Sequence, residues 1–161
     1  MRFFQEKIYE FEWKSNGAGP LWCFGSSCIA TFEEKVFVSG WETLKDVPPL
    51  NCARWSLYQR SQTGWKKLYQ DNERTIEPAP ICILGDGRTF VSENPFMQEP
   101  EVSWGVTLPK IMIFCPPDYI KTKSVLFRPC EPVVLTEHSY RNFAADRKNS
   151  ELFLYHSDRW N

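Results

Sequence analysis

The chain has 161 residues, a formal net charge of −1 and a pI near 6.1, enough for one ordinary domain with a real core. That near-neutral balance excludes the broad basic field of a nucleic-acid binder and the charge excess of a disordered chain. Aromatic residues make up 16% of it, with seven Trp and twelve Phe, which suits half-buried sheet surfaces.

In chain order, residues 1–15 alternate charged with aromatic residues and contain no apolar h-region, so no signal peptide is expected. No later apolar run approaches the ~18 residues of a membrane span. A cytoplasmic setting is the default, with localisation otherwise unassigned. Gly17-Ala18-Gly19-Pro20 lacks the strand–glycine–helix context of a phosphate loop and reads as a turn. Strands are expected over 27–31 and 35–39, joined by Glu33-Glu34, then over 53–59 and 65–69, joined at Gly64. The next set covers 79–84 and 88–92 around Gly85-Asp86-Gly87, then 110–115 and 124–127, with Pro116-Pro117-Asp118 as punctuation. A last hairpin is expected from 141–145 and 151–155. No segment of 11 or more residues shows a 3.6-residue period, so no helix is expected. The six cysteines (Cys23, Cys28, Cys52, Cys82, Cys115 and Cys130) have no metal-ligand spacing and sit mostly in apolar runs. Free, mostly buried thiols fit them better than a disulfide framework.

The chain repeats itself. Lys35-Val36-Phe37-Val38-Ser39 returns 53 residues on as Arg88-Thr89-Phe90-Val91-Ser92, and a looser copy, Glu151-Leu152-Phe153-Leu154-Tyr155, follows 63 residues later. Hairpins at this spacing fit units of four antiparallel strands, as in β-propellers. The fold class is therefore all-β, an incomplete propeller in a single domain. Its first blade covers about 22–70, its second about 76–130, and a third starts at about 135–161. Propellers close with roughly 4–8 blades, so further blades are expected from a continuing C-terminal chain or from another subunit.

Several short runs resemble the sialidase-like propellers, the bacterial neuraminidase repeat superfamily. Ile76-Glu77-Pro78 stands where that family has Arg-Ile-Pro. Ser61-Gln62-Thr63-Gly64-Trp65 looks like a worn Asp-box, with Ser, Gly and Trp in order and Thr63 near the place of the missing Asp. Ser157-Asp158-Arg159-Trp160 is a second partial match. The resemblance implies a funnel lined by residues that enter the innermost strands, near 22–25, 75–78 and 137–141.

The richest of these places is Glu137-His138-Ser139-Tyr140-Arg141. A Tyr activated by a Glu is the sialidase-type nucleophile, and an Arg fork matches a carboxylate. The candidate catalytic residues are Glu77 and Tyr140, and the candidate substrate-binding residues are His138, Arg141 and Trp22. Each has a plain alternative: a polar loop and blade edge at 137–141, a loop carboxylate at Glu77, core packing for Trp22. Tyr140 and Arg141 are neighbours, so a regular strand sends them to opposite faces. Glu77 also reverses the charge of the family's Arg, which argues against an anionic sugar held in the sialidase manner. Two histidines support neither a metal site nor a Ser–His–Asp triad, and no cofactor is implied.

The reading is a carbohydrate-active or carbohydrate-binding sialidase-like propeller, with glycoside hydrolysis as the enzymatic form. The alternative is a non-catalytic propeller scaffold for protein–protein interaction. A carbohydrate or other small ligand is the expected partner; nucleic acid and membrane are not.

Overall fold

The computed structural model describes residues 3–22, 26–126 and 139–158. These residues form strands and no helix, so none crosses a membrane as a long apolar helix. The first sheet runs β1 (Ile29–Phe32), β2 (Lys35–Thr43), β3 (Ala53–Ser61) and β4 (Gly64–Gln70). The second runs β5 (Ile81–Ile83), β6 (Thr89–Glu93), β7 (Lys110–Cys115) and β8 (Ile120–Leu126), and a two-stranded sheet joins β9 (Ser139–Asp146) to β10 (Glu151–Asp158). In each sheet the strands pair antiparallel in chain order, the meander that short loops allow. The three repeated hairpins thus open three separate sheets, which do not close on themselves.

Local chemistry explains the tight turns. The β1–β2 turn places Glu33 at φ 52, and the β3–β4 turn places Gly64 at φ 119 with open space around it. In the β9–β10 turn, Asp146 Oδ1 accepts from the amides of Lys148 (2.9 Å) and Asn149 (3.1 Å), an Asx-type closure. The strand expected over 124–127 instead begins at Ile120. Its lysines face solvent on the outer edge of the sheet, so the early part carries no apolar alternation to read.

Register makes the repeat concrete. Phe37 faces Ala30, Phe90 faces Cys82 and Phe153 faces Ala144, so each hairpin sets a Phe opposite a small residue. The next pairs also correspond: Ser39 with Leu57, and Ser92 with Ile111. β1 packs beside β5, and β5 beside β9, so the first strands of the three sheets are neighbours.

Two apolar seams result. Phe37, Trp55 and Leu57 of the first sheet meet Ile81, Ile83, Val91, Met112 and Phe114 of the second, with Tyr119 closing over Phe37 at 4.5 Å between ring centroids. On the other face of the second sheet, Cys82, Leu84 and Phe90 meet Phe143, flanked by Leu152 and Leu154. Of the cysteines, Cys28, Cys52, Cys82 and Cys115 are free, with Cys52 and Cys82 buried; Cys23 and Cys130 lie outside the described residues.

Residues 3–15, ahead of β1, form an extended strap over the outward face of the first sheet. Tyr9 stacks on Tyr58 (5.6 Å, 12°). It does so above Gly40, where an added Cβ would lie 2.9 Å from the Tyr9 ring and 2.5 Å from Tyr58. Glu6 pairs with Arg60 and accepts from Trp65 Nε1 at 3.0 Å. Further along, the Lys14 ammonium donates to the carbonyls of Leu44, Lys45 and Val47.

Candidate functional site

The two ends of the sheets differ chemically. One end holds the short hairpin turns. The other holds the connections 44–52, 71–80 and 94–109, which bury Asn51, Asp71, Thr75, Glu77, Asn94 and Thr107. Such groups are tolerated inside only where they are hydrogen-bonded. Asn16 shows how: its amide donates to the carbonyl of Ile76 (3.0 Å), and its oxygen accepts from the Cys52 amide (2.8 Å).

Glu77 lies at this end, wholly buried, between β4 and β5. Arg141, in β9, is 2% exposed. Its guanidinium donates to the Ser92 carbonyl at 2.7 Å, to the Ser92 hydroxyl at 3.2 Å and to the Pro78 carbonyl at 3.0 Å. Arg141 therefore ties the last hairpin to the edge of the second sheet, beside the residue that follows Glu77. Tyr140 is 42% exposed on the opposite face of β9, as strand alternation requires. The structure brings Arg141 and the Glu77 segment together and sends Tyr140 elsewhere. His138 and Glu137 lie outside the described residues.

A second carboxyl group sits in the first seam. Glu93, the last residue of β6, is 2% exposed and accepts from Trp55 Nε1 at 2.8 Å. Asp71, just past β4, is close enough for its charge to act on Glu93. Asp71 also accepts from the Tyr69 hydroxyl at 3.1 Å, and the Lys110 ammonium is 3.9 Å from Glu93. Burial, then the Asp71 charge, push Glu93 up to about 7. The repeat offered no pointer to this pair. Asp71 and Glu93 come from different sheets, and their meeting depends on the packing angle. The equivalent position in the first sheet is Gly40, under the strap.

Trp22 occupies a separate place. It is 48% exposed and lines an open cleft of about 450 Å3 with Tyr9, Phe11, Trp13, Pro20 and Leu21. One wall is the strap and the other is the turn at 19–22, closed by the Trp22 amide donating to the Gly19 carbonyl at 3.1 Å. Gly19 lies against the Trp13 ring, where an added Cβ would sit at ordinary contact distance. Burial pushes the Tyr9 hydroxyl up to about 12, so that ring is neutral in the cleft at any physiological pH. The sequence singled out Trp22 but not its companions, because residues 1–15 have no strand or helix period to place them.

The run Ser61–Trp65 forms the β3–β4 turn. Ser61 Oγ bonds the Gly64 carbonyl (2.8 Å) and accepts from the Thr63 amide (3.3 Å). Trp65 turns toward Glu6 of the strap. Among the described residues no group of three His, Cys, Asp or Glu side chains could hold a metal ion. No protein-family model, curated protein or solved structure matches the chain.

Proposed function

We propose that the three sheets are blades of a sialidase-like propeller that binds carbohydrate without hydrolysing it, and that the aromatic cleft at Trp22 is the contact. The repeated Phe–small-residue pair and the neighbouring first strands favour the blade reading. The half-exposed Trp22 ring, in a cleft walled by three further aromatics, carries the binding reading. Flat, rigid rings give a sugar's apolar face a large contact at low entropic cost. The interior placement of Glu77 and the bonding of Arg141 to backbone carbonyls weigh against hydrolysis.

Tryptophan fluorescence titration with soluble oligosaccharides of different composition tests this. Binding is expected for at least one of them, weakened about tenfold by Trp22→Ala, with no sugar released on long incubation. Binding by none, or binding indifferent to Trp22→Ala and Trp13→Ala, defeats the proposal. Hydrolysis lost in Glu77→Gln and Tyr140→Phe would instead make the protein a glycosidase.

The second reading, a scaffold for protein–protein interaction, is favoured by a different observation: the aromatic outer face of β9–β10.

A further inference from the structure

The equivalent phenylalanines of the three hairpins differ sharply in exposure. Phe37 is 0% exposed, Phe90 3% and Phe153 56%. Register, partner and orientation are the same in each case. Two things differ: β2 and β6 are flanked on both sides by strands while β10 is an edge strand, and the cover differs. Phe37 lies under the Ile81–Val91–Met112 row of the second sheet, and Phe90 lies under the β9–β10 hairpin. Phe153 shares its face with Tyr155 (67% exposed) and Tyr140 (42%), and no described residue covers them. Three aromatics on one sheet face form a patch of the kind that marks an interaction site.

The strand edges point the same way. Of the edge strands of the four-stranded sheets, β4 and β8 carry Lys66 and Lys67, and Lys121 and Lys123, whereas β1 and β5, whose neighbours in space are other first strands, carry none. Lysines on an edge discourage pairing with another chain. β10 has neither Lys nor Arg from Glu151 to Asp158, so its outer edge lacks that protection.

What covers Phe37 also specifies what fits Phe153: an antiparallel sheet that presents an aliphatic row across its strands. The first sheet has a partly aliphatic row on its outward face, Ile29 and Val38 followed by the aromatic Tyr58, in the register of Ile81–Val91–Met112. Ile29 remains 57% exposed there, while Val38 and Tyr58 are buried, Tyr58 beneath Tyr9 of the strap and the Lys67 ammonium. We propose that the outer face of β9–β10 receives the first sheet of a second copy of this chain, head to tail. The contact is heterologous, joining two different faces, and the strap competes for one of them. The inference is independent of what the aromatic cleft binds.

Sedimentation velocity over a dilution series of the full chain, with hydrogen exchange at each end of the series, tests it. Association is expected to rise with concentration and to slow exchange of the β10 amides. Phe153→Lys with Tyr155→Lys should weaken it about tenfold or more, while Ile120→Lys on β8, also at an exposed apolar position, should not. Tyr155→Ser alone repeats the test with a milder change should the double variant lose its circular dichroism. Tyr9→Ala, which loosens the strap, should strengthen association. A chain monomeric throughout the series overturns the proposal. So does association that survives the β10 variants, protects the Trp22 cleft instead of β10, or is unchanged by Tyr9→Ala.

Discussion

The two seams of this molecule are built on one plan and filled differently. Both bury the repeat phenylalanine of one hairpin beneath the next sheet. The first is wide, with Trp55, Phe114 and Tyr119 around Phe37, and it closes at the loop end with the Glu93 carboxyl on Trp55 Nε1, beside Asp71. The second is narrower, because only two strands cover Phe90, and it closes with the Arg141 guanidinium on backbone acceptors. A repeated hairpin thus fixes which residue is buried, while the partner sheet decides how much burial it receives and how the polar end is satisfied.

A series at the equivalent phenylalanines tests this comparison most severely. Phe37→Ala should destabilise by about 3–5 kcal/mol and Phe90→Ala by about 3, in urea denaturation read at the midpoint. Equal losses would mean that the width of the cover does not matter. Arg141→Met should cost about 2 kcal/mol, since buried bonds to a charged donor are lost and the Ser92 and Pro78 carbonyls are left behind. No loss would show that the second seam does not need its guanidinium.

Smaller and specific to the first seam is a dependence on pH. Glu93 is raised to about 7 in the folded chain from an ordinary value of 4.5, so the folded state binds more protons between these values. Stability is therefore highest below about pH 4.5 as far as this group is concerned. It falls as pH rises through about 7, by on the order of 1–3 kcal/mol. Glu93→Gln, which keeps the size and an acceptor oxygen for Trp55 Nε1 but does not titrate, should flatten that slope in melts taken at successive pH values. An unchanged slope would place the titration elsewhere. The smallest effect is expected at the third phenylalanine. Phe153→Ala in dilute solution should shift stability by no more than about 0.5 kcal/mol, and a loss like that at Phe90 would show that the face is covered within the monomer.

Much of the fold was legible because period-two patterning and turn residues are local. The Lys35–Ser39 motif and its copies mark the second strand of each hairpin, and Gly64 and Gly87 mark turns. β8 was read short because an edge strand carrying Lys121 and Lys123 has no apolar face to announce it. The site was legible only in pieces. Trp22 was readable as an aromatic beside a turn, and strand alternation already separated Tyr140 from Arg141. The Asp71–Glu93 pair was not readable, since neither residue is unusual until two sheets pack together. Nor were the companions of Trp22, which reach it because the strap is held on the first sheet by Tyr58, Arg60 and Trp65.

Gly40 gives that last contact a thermodynamic consequence. The space a side chain would need at this position is filled by the stacked rings of Tyr58 and of Tyr9 from the strap. The same stretch supplies Tyr9, Phe11 and Trp13 to the cleft. Under the carbohydrate-binding proposal, attachment of residues 3–15 and occupancy of the cleft are therefore linked equilibria, and each must favour the other to the same degree. Gly40→Ala, remote from any bound molecule, would then lower affinity by loosening a wall.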